Sequence, residues 1–152
     1  MIRYLTAGLL ALSASSQVMA QETPDALLQA FIAAIEAEDS QALASLYVEY
    51  ADSYTPSANH ARGRAAIAAD WQGFFDAFDN IELEIDAHGS AHSGTTHAAW
   101  GLWTLTQTPA GGGESFVLTG RFMDVQTQID GRWYYVADHS SASPVAVAMD
   151  QD

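Results

Sequence analysis

Asp124 and His139 are the side chains best able to do acid–base chemistry in this sequence. Between them lies Asp130-Gly131, a dipeptide that favours a two-residue hairpin turn. With such a turn Ile129 faces Arg132 and each residue pairs with its mirror image about the turn. Phe122 is then expected opposite His139, and Asp124 opposite Ala137, with all four on one face. Trp133 and Tyr135 share that face. The carboxylate would orient the imidazole as a general-base dyad, or the pair would be a structural hydrogen bond. On the other face the same register places Arg121 diagonal to Asp138, as a structural ion pair or a clamp for a carboxylate ligand.

Other groups suggest weaker chemistry. His88, His92 and His97 straddle Gly89 and Gly94 and lack a spacing that would present them together to a metal, so no metal site and no cofactor is expected. Glu82, Glu84 and Asp86 read as a solvated strand face. Ser140 and Ser141 have no nucleophile elbow around them. Tyr50, Asp52, Tyr54 and His60 fall in a segment without helical periodicity, broken by Pro56, which is expected to form a pocket rim. Trp71, Phe75, Trp100, Phe122 and Tyr135 supply aromatic surface of the kind that lines apolar ligand pockets. With Tyr50, Asp52 and Tyr54 they form the expected ligand-binding set.

The elements that must position these residues follow from periodicity. Thr23-Pro24-Asp25 is a helix start, and Leu27, Leu28, Phe31, Ile32 and Ile35 recur at helical spacing to about Glu38. Ser40 is placed to cap a shorter helix carrying Leu43, Leu46 and Tyr47. A third helix follows Gly63, with a wide apolar stripe of Ile67, Trp71, Phe74, Phe75 and Phe78. After Asn80 the period becomes two: Ile81, Leu83 and Ile85 alternate with acids, as in a strand with one wet face. Further strands are expected at 95–106, apolar on both sides, at 115–129 and at 132–140. Helices followed by an antiparallel meander indicate α+β.

Three stretches resemble a known family. Gly63-Arg64-Ala65-Ala66-Ile67 is similar to the opening of its long helix, and Tyr50-Ala51-Asp52 with Pro56 to the segment before it. Arg121-Phe-Met-Asp124-Val, Asp130-Gly131-Arg132-Trp133 and Asp138-His139-Ser140-Ser141 resemble the C-terminal hairpin of SnoaL-like domains. These belong to the nuclear transport factor 2-like superfamily, which also includes the association domain of calcium/calmodulin-dependent kinase. The likeness covers residues 23–144. It implies a cone of three N-terminal helices on a curved antiparallel sheet, a conical pocket, and a homodimer packed through the outer sheet face. Steroid isomerases of this fold use a tyrosine on the first helix, an aspartate base before the long helix and a protonated acid on the sheet. The matching positions here are Phe31, Tyr54 or Thr55, and a place near Arg121, so that catalytic set is missing.

Composition bounds the rest. There are 152 residues, no cysteine and no lysine, and 19 acidic residues against 5 arginines, a formal net charge of −14. Residues 1–20 read as a secretory signal: Arg3, an apolar core from Leu5 to Leu12, and Val18-Met19-Ala20 at the cleavage site. Cleavage there removes Arg3 and no acid, which deepens the net charge from −14 to −15. A domain at 21–144 and a loose tail at 145–152 remain. Such a surface repels nucleic acid and anionic lipid, so neither nucleic acid nor, after cleavage, a membrane is an expected partner. A periplasmic or secreted location is expected. Three functions fit: a pocket that binds a small, mostly apolar molecule; an acid–base lyase, isomerase or hydratase using Asp124 and His139; and an assembly module.

Overall fold

The computed structural model describes residues 21–57 and 59–143. The expected signal segment and the tail therefore lie outside the described residues. The first helix, α1, spans Pro24–Glu36. Thr23 caps it by accepting a hydrogen bond from the Ala26 amide at 3.1 Å, and Pro24 fits the first turn, where a missing N–H costs nothing. Helix α2 spans Ser40–Ser45. Its cap is Asp39 rather than Ser40, because the Asp39 carboxylate accepts from both Gln41 and Ala42.

The segment expected to be an irregular rim is instead two strands. β1 is Tyr47–Tyr54 and β2 is His60–Arg62, paired antiparallel. Tyr47-Val48 and the alternation of Ala51 and Ser53 with Asp52 and Tyr54 suit a half-buried strand, and Thr55–Ser57 lead out of it. Gly63, at φ 82°, turns the chain into α3, Arg64–Ala77. The Arg64 guanidinium donates to the Tyr47 carbonyl at 2.6 Å, which ties α3 to β1.

The remaining strands are β3 (Phe78–Ser93), β4 (Thr96–Pro109), β5 (Phe116–Ile129) and β6 (Arg132–Ala142). β3, β4 and β6 run longer than their sequence patterns indicate, and with β1, β2 and β5 they make one six-stranded curved, unclosed sheet, ordered β2-β1-β6-β5-β4-β3. All neighbours are antiparallel except β1 and β6, which run parallel and set Ser53 beside Asp138 and Tyr54 beside His139. The helices pack inside the curve. Leu27, Ile35, Leu43, Tyr47 and Ile67 form the most deeply buried part of the core.

The Asp130-Gly131 turn forms as expected, with φ of 50° and 80°. Pairing follows the expected register from Ile129–Arg132 to Gln126–Tyr135. An irregularity then intervenes, and beyond it Val125 faces Ala137, Asp124 faces Asp138, Met123 faces His139 and Phe122 faces Ser140. One extra residue on β6 opposes the partner strand, so every later β6 side chain changes face. This corrects the expected pairs of Phe122 with His139 and of Asp124 with Ala137. It also removes the expected Arg121–Asp138 pair, since Arg121 faces Ser141.

Candidate functional site

Between the helices and the inner sheet face lies a cavity of about 770 Å³. Helix α1 contributes Leu28, Phe31 and Ile35, and α3 contributes Trp71, Gly73 and Phe74. The sheet contributes mainly apolar residues, among them Leu83, Trp103, Leu105, Phe122 and Tyr135. Phe31 organises one wall by meeting Trp71 edge-on at 6.0 Å and Tyr135 at 5.4 Å between ring centroids. The mouth is bordered by Thr55–Ser57, Asn59 and Asp70, where the Asn59 amide donates to the Asp70 carboxylate at 2.8 Å.

The polar part of this wall is a pair of carboxylic acids. Asp124 and Asp138 are cross-strand neighbours, and both line the cavity. Burial pushes the Asp124 carboxyl up to about 7, and the charge of Asp138 pushes the same way. The Gln126 amide, which donates at 2.8 Å, and the Ala99 amide pull it back. Burial also raises the Asp138 carboxyl, while the Tyr47 and Ser53 hydroxyls and the Tyr54 amide favour its ionised form. The Tyr47 hydroxyl donates directly to Asp138 Oδ2. Tyr47 and Tyr135 are themselves buried, which holds both phenols well above their ordinary range, and the nearby acids add to this.

Three polar atoms of the cavity wall are buried and have no hydrogen-bond partner: Asp138 Oδ1, Gln107 Oε1 and Trp71 Nε1. Such groups are costly to bury unpaired. All three have almost no accessible surface, so a molecule in the cavity would reach them only after a neighbouring side chain moved.

Of the residues expected to bind ligand, Trp71, Phe122 and Tyr135 line the cavity. Tyr50 is exposed on β1. Asp52 lies on the outer face, where it accepts from His60 at 2.7 Å. Tyr54 stacks flat on His60 with 4.4 Å between ring centroids. Phe75 is buried in the core beside Trp71 and does not reach the cavity. Trp100 sits on the outer face over Gly89, where any side chain on Gly89 would come within 2.8 Å of its ring.

Asp124 lines the cavity, but His139 is not its same-face neighbour. The register shift pairs His139 with Met123, and its exposed ring, at the edge of the cavity, lies 6.1 Å from that of Tyr54. The acid opposite Asp124 is Asp138. Ser53, Gln107 and Asp138 line the pocket although sequence reasoning did not place them there, and Tyr47, buried and bonded to Asp138, was likewise not foreseen. The alternation from Tyr47 to Tyr54 carries the signal for two of them. His92 and His97 face each other across the β3–β4 hairpin and pack against Trp133. Among the described residues no three His, Asp or Glu side chains gather as a metal would require.

A family model, the SnoaL-like domain, matches residues 28–136. This chain belongs to the SnoaL-like family. The SnoaL-like fold recurs in a candidate calcium/calmodulin-dependent protein kinase II association domain from Xanthomonas campestris. That structure is 22% identical, with a TM-score of 0.72 over 79% of this chain and 85% of the other. A nuclear transport factor 2-like superfamily protein from Salmonella enterica is 20% identical, with a TM-score of 0.71 over 83% and 92%. A candidate scytalone dehydratase from Novosphingobium aromaticivorans is 16% identical, with a TM-score of 0.69 over 79% and 81%. At these identities the likeness establishes the fold, and the site must be argued from this chain's own residues. No curated protein sequence matches the chain.

Proposed function

We propose that this SnoaL-like domain is an exported, homodimeric protein that binds a small, mostly apolar molecule in its cavity. The observation that carries the reading is the cavity of about 770 Å³, walled by aromatic and aliphatic side chains and polar chiefly at Asp124 and Asp138. Ligand sites have this character, with few polar groups fixing orientation in an apolar enclosure. A filled cone would instead have favoured an assembly module. Export rests on the pattern of residues 1–20, and the homodimer on Trp100, Leu102 and Met123, which leave apolar surface exposed on the outer sheet face. Native mass spectrometry of the protein purified from its own source tests the binding reading. An adduct of a few hundred daltons, lost on denaturation, is expected. A bare polypeptide mass that no added apolar compound shifts would reject it.

One observation favours a second reading, acid–base catalysis. A carboxyl held at about 7 is poised both to take and to give a proton at neutral pH. Asp124 would act as the base or acid, and Asp138 with the Tyr47 hydroxyl would steady charge that develops on the substrate. A solved structure of this fold carries a dehydratase description. The roles once expected of Asp124 and His139 then pass to Asp124 and Asp138.

A further inference from the structure

The wall of the cavity is acidic, and His139, whose charge favours the ionised form of Asp138, is its nearest counterion. Asp124 comes from β5 and Asp138 from β6, with Asp70 at the mouth on α3. No arginine is among the residues that line it, and the chain has no lysine. The other titratable groups facing the acids are the phenols of Tyr47 and Tyr135. His139, the one side chain of the lining that can carry a positive charge, is exposed at the edge. The α1, β3 and β4 walls add no titratable group. The acceptors Asp138 Oδ1 and Gln107 Oε1 are buried and unpartnered, and Gln107 is only 1% exposed. The same cavity wall holds the aromatic rings of Phe31, Trp71, Phe122 and Tyr135.

We infer that the ligand is an organic cation, a protonated amine on an apolar body, with its ammonium group at Asp124 and Asp138. The inference rests on the reading of the cavity as a small-molecule site. A carboxylate ligand would meet two acids with only the exposed His139 to offset them, and desolvated like charges repel strongly. A neutral alcohol could bond Asp138 but would add no counter-charge. An ammonium group supplies donors to the carboxyls, favours ionisation of both acids, and meets aromatic rings that attract cations. Because Asp124 holds its proton to about pH 7, binding of the cation below that pH expels a proton. Affinity therefore rises with pH while the amine itself stays charged.

Isothermal titration calorimetry with three probes of one shape tests this: 1-naphthylmethylamine, 1-naphthalenemethanol and 1-naphthoate. Titrations run in about 0.15 M salt, which screens the exposed acids. At pH 7.5 the amine is expected to bind about tenfold more tightly than the alcohol, with the carboxylate weakest. The amine should tighten from pH 5.5 to pH 8, with proton release seen as a buffer-dependent heat. Asp124→Asn and Asp138→Asn should bring amine and alcohol together, and thermal melts would confirm that both variants are folded. Alcohol binding equal to or tighter than amine binding, or an amine affinity that falls as pH rises, overturns the inference and leaves the pocket reading standing. If folded wild-type protein binds none of the three, both readings fail. The wild-type comparison and pH series need no variant.

Discussion

Asp124 and Asp138 face each other across β5 and β6 with both carboxyls inside the sheet, because an irregularity after Val125 advances β6 by one residue. Two acids in direct cross-strand register are normally unfavourable. Here burial raises both carboxyls, Asp124 to about 7, and the Tyr47 hydroxyl and Gln126 amide satisfy part of their hydrogen-bonding capacity.

Stability should fall as pH rises through this pair's range. The native Asp124 keeps its proton to about pH 7, whereas an unfolded aspartate releases it near 4. Between those values the native state binds more protons, so stability is highest at the acid end and declines toward pH 7. The loss from Asp124 alone is on the order of 4 kcal/mol. Urea denaturation from pH 4.5 to 8 should show Asp124→Asn with a flatter profile than wild type. Parallel profiles would contradict the assignment.

Tyr47→Phe removes the hydroxyl that donates to Asp138 and keeps the buried ring. The expected cost is about 1–3 kcal/mol. It should be larger at pH 8, where Asp138 is more ionised, than at pH 5. Chemical denaturation at the two pH values reads this directly, and an equal loss at both would argue that the hydroxyl does not act through the charge of Asp138.

Gly101 marks a close approach of strands. A Cβ there would lie 2.1 Å from the Asp86 carbonyl and 2.9 Å from the Phe122 ring, and the carbonyl cannot move without disturbing β3. Gly101→Ala should cost about 1–3 kcal/mol. Gly73 lies within α3 with open space where its Cβ would be, so Gly73→Ala should stabilise by up to about 1 kcal/mol. Thermal melts should move in opposite directions.

The exported protein is expected to begin at Gln21. In the fold this residue is buried: its carbonyl accepts from the Trp133 amide at 2.7 Å, and its side chain accepts from Arg132. N-terminal sequencing of protein recovered outside the cytoplasm checks the site, and a chain still starting at Met1 would count against cleavage.

Sedimentation equilibrium in moderate salt should give twice the mature mass. Leu102→Glu, on the exposed face of β4, should shift the protein toward monomer with its melting cooperativity retained. A wild-type monomer at high concentration would refute the dimer.

Much of this fold is legible in local pattern. Thr23-Pro24 starts α1, the change of period near Asn80 marks the passage from helix to sheet, and Asp130-Gly131 sets the turn and the first pairs beside it. Each depends on neighbours in the chain, so the sequence by itself determined them, along with the family resemblance and the acidic surface. Tertiary structure decided the rest. β1 is a strand because β6 offers it a parallel edge 80 or more residues away, a partner that no local period announces. The irregularity beyond Gln126–Tyr135 is one unpaired residue whose place depends on packing across the sheet. Since side chains alternate with period two, that residue moved His139 off the face of Asp124 to the cavity edge and brought Asp138 inside.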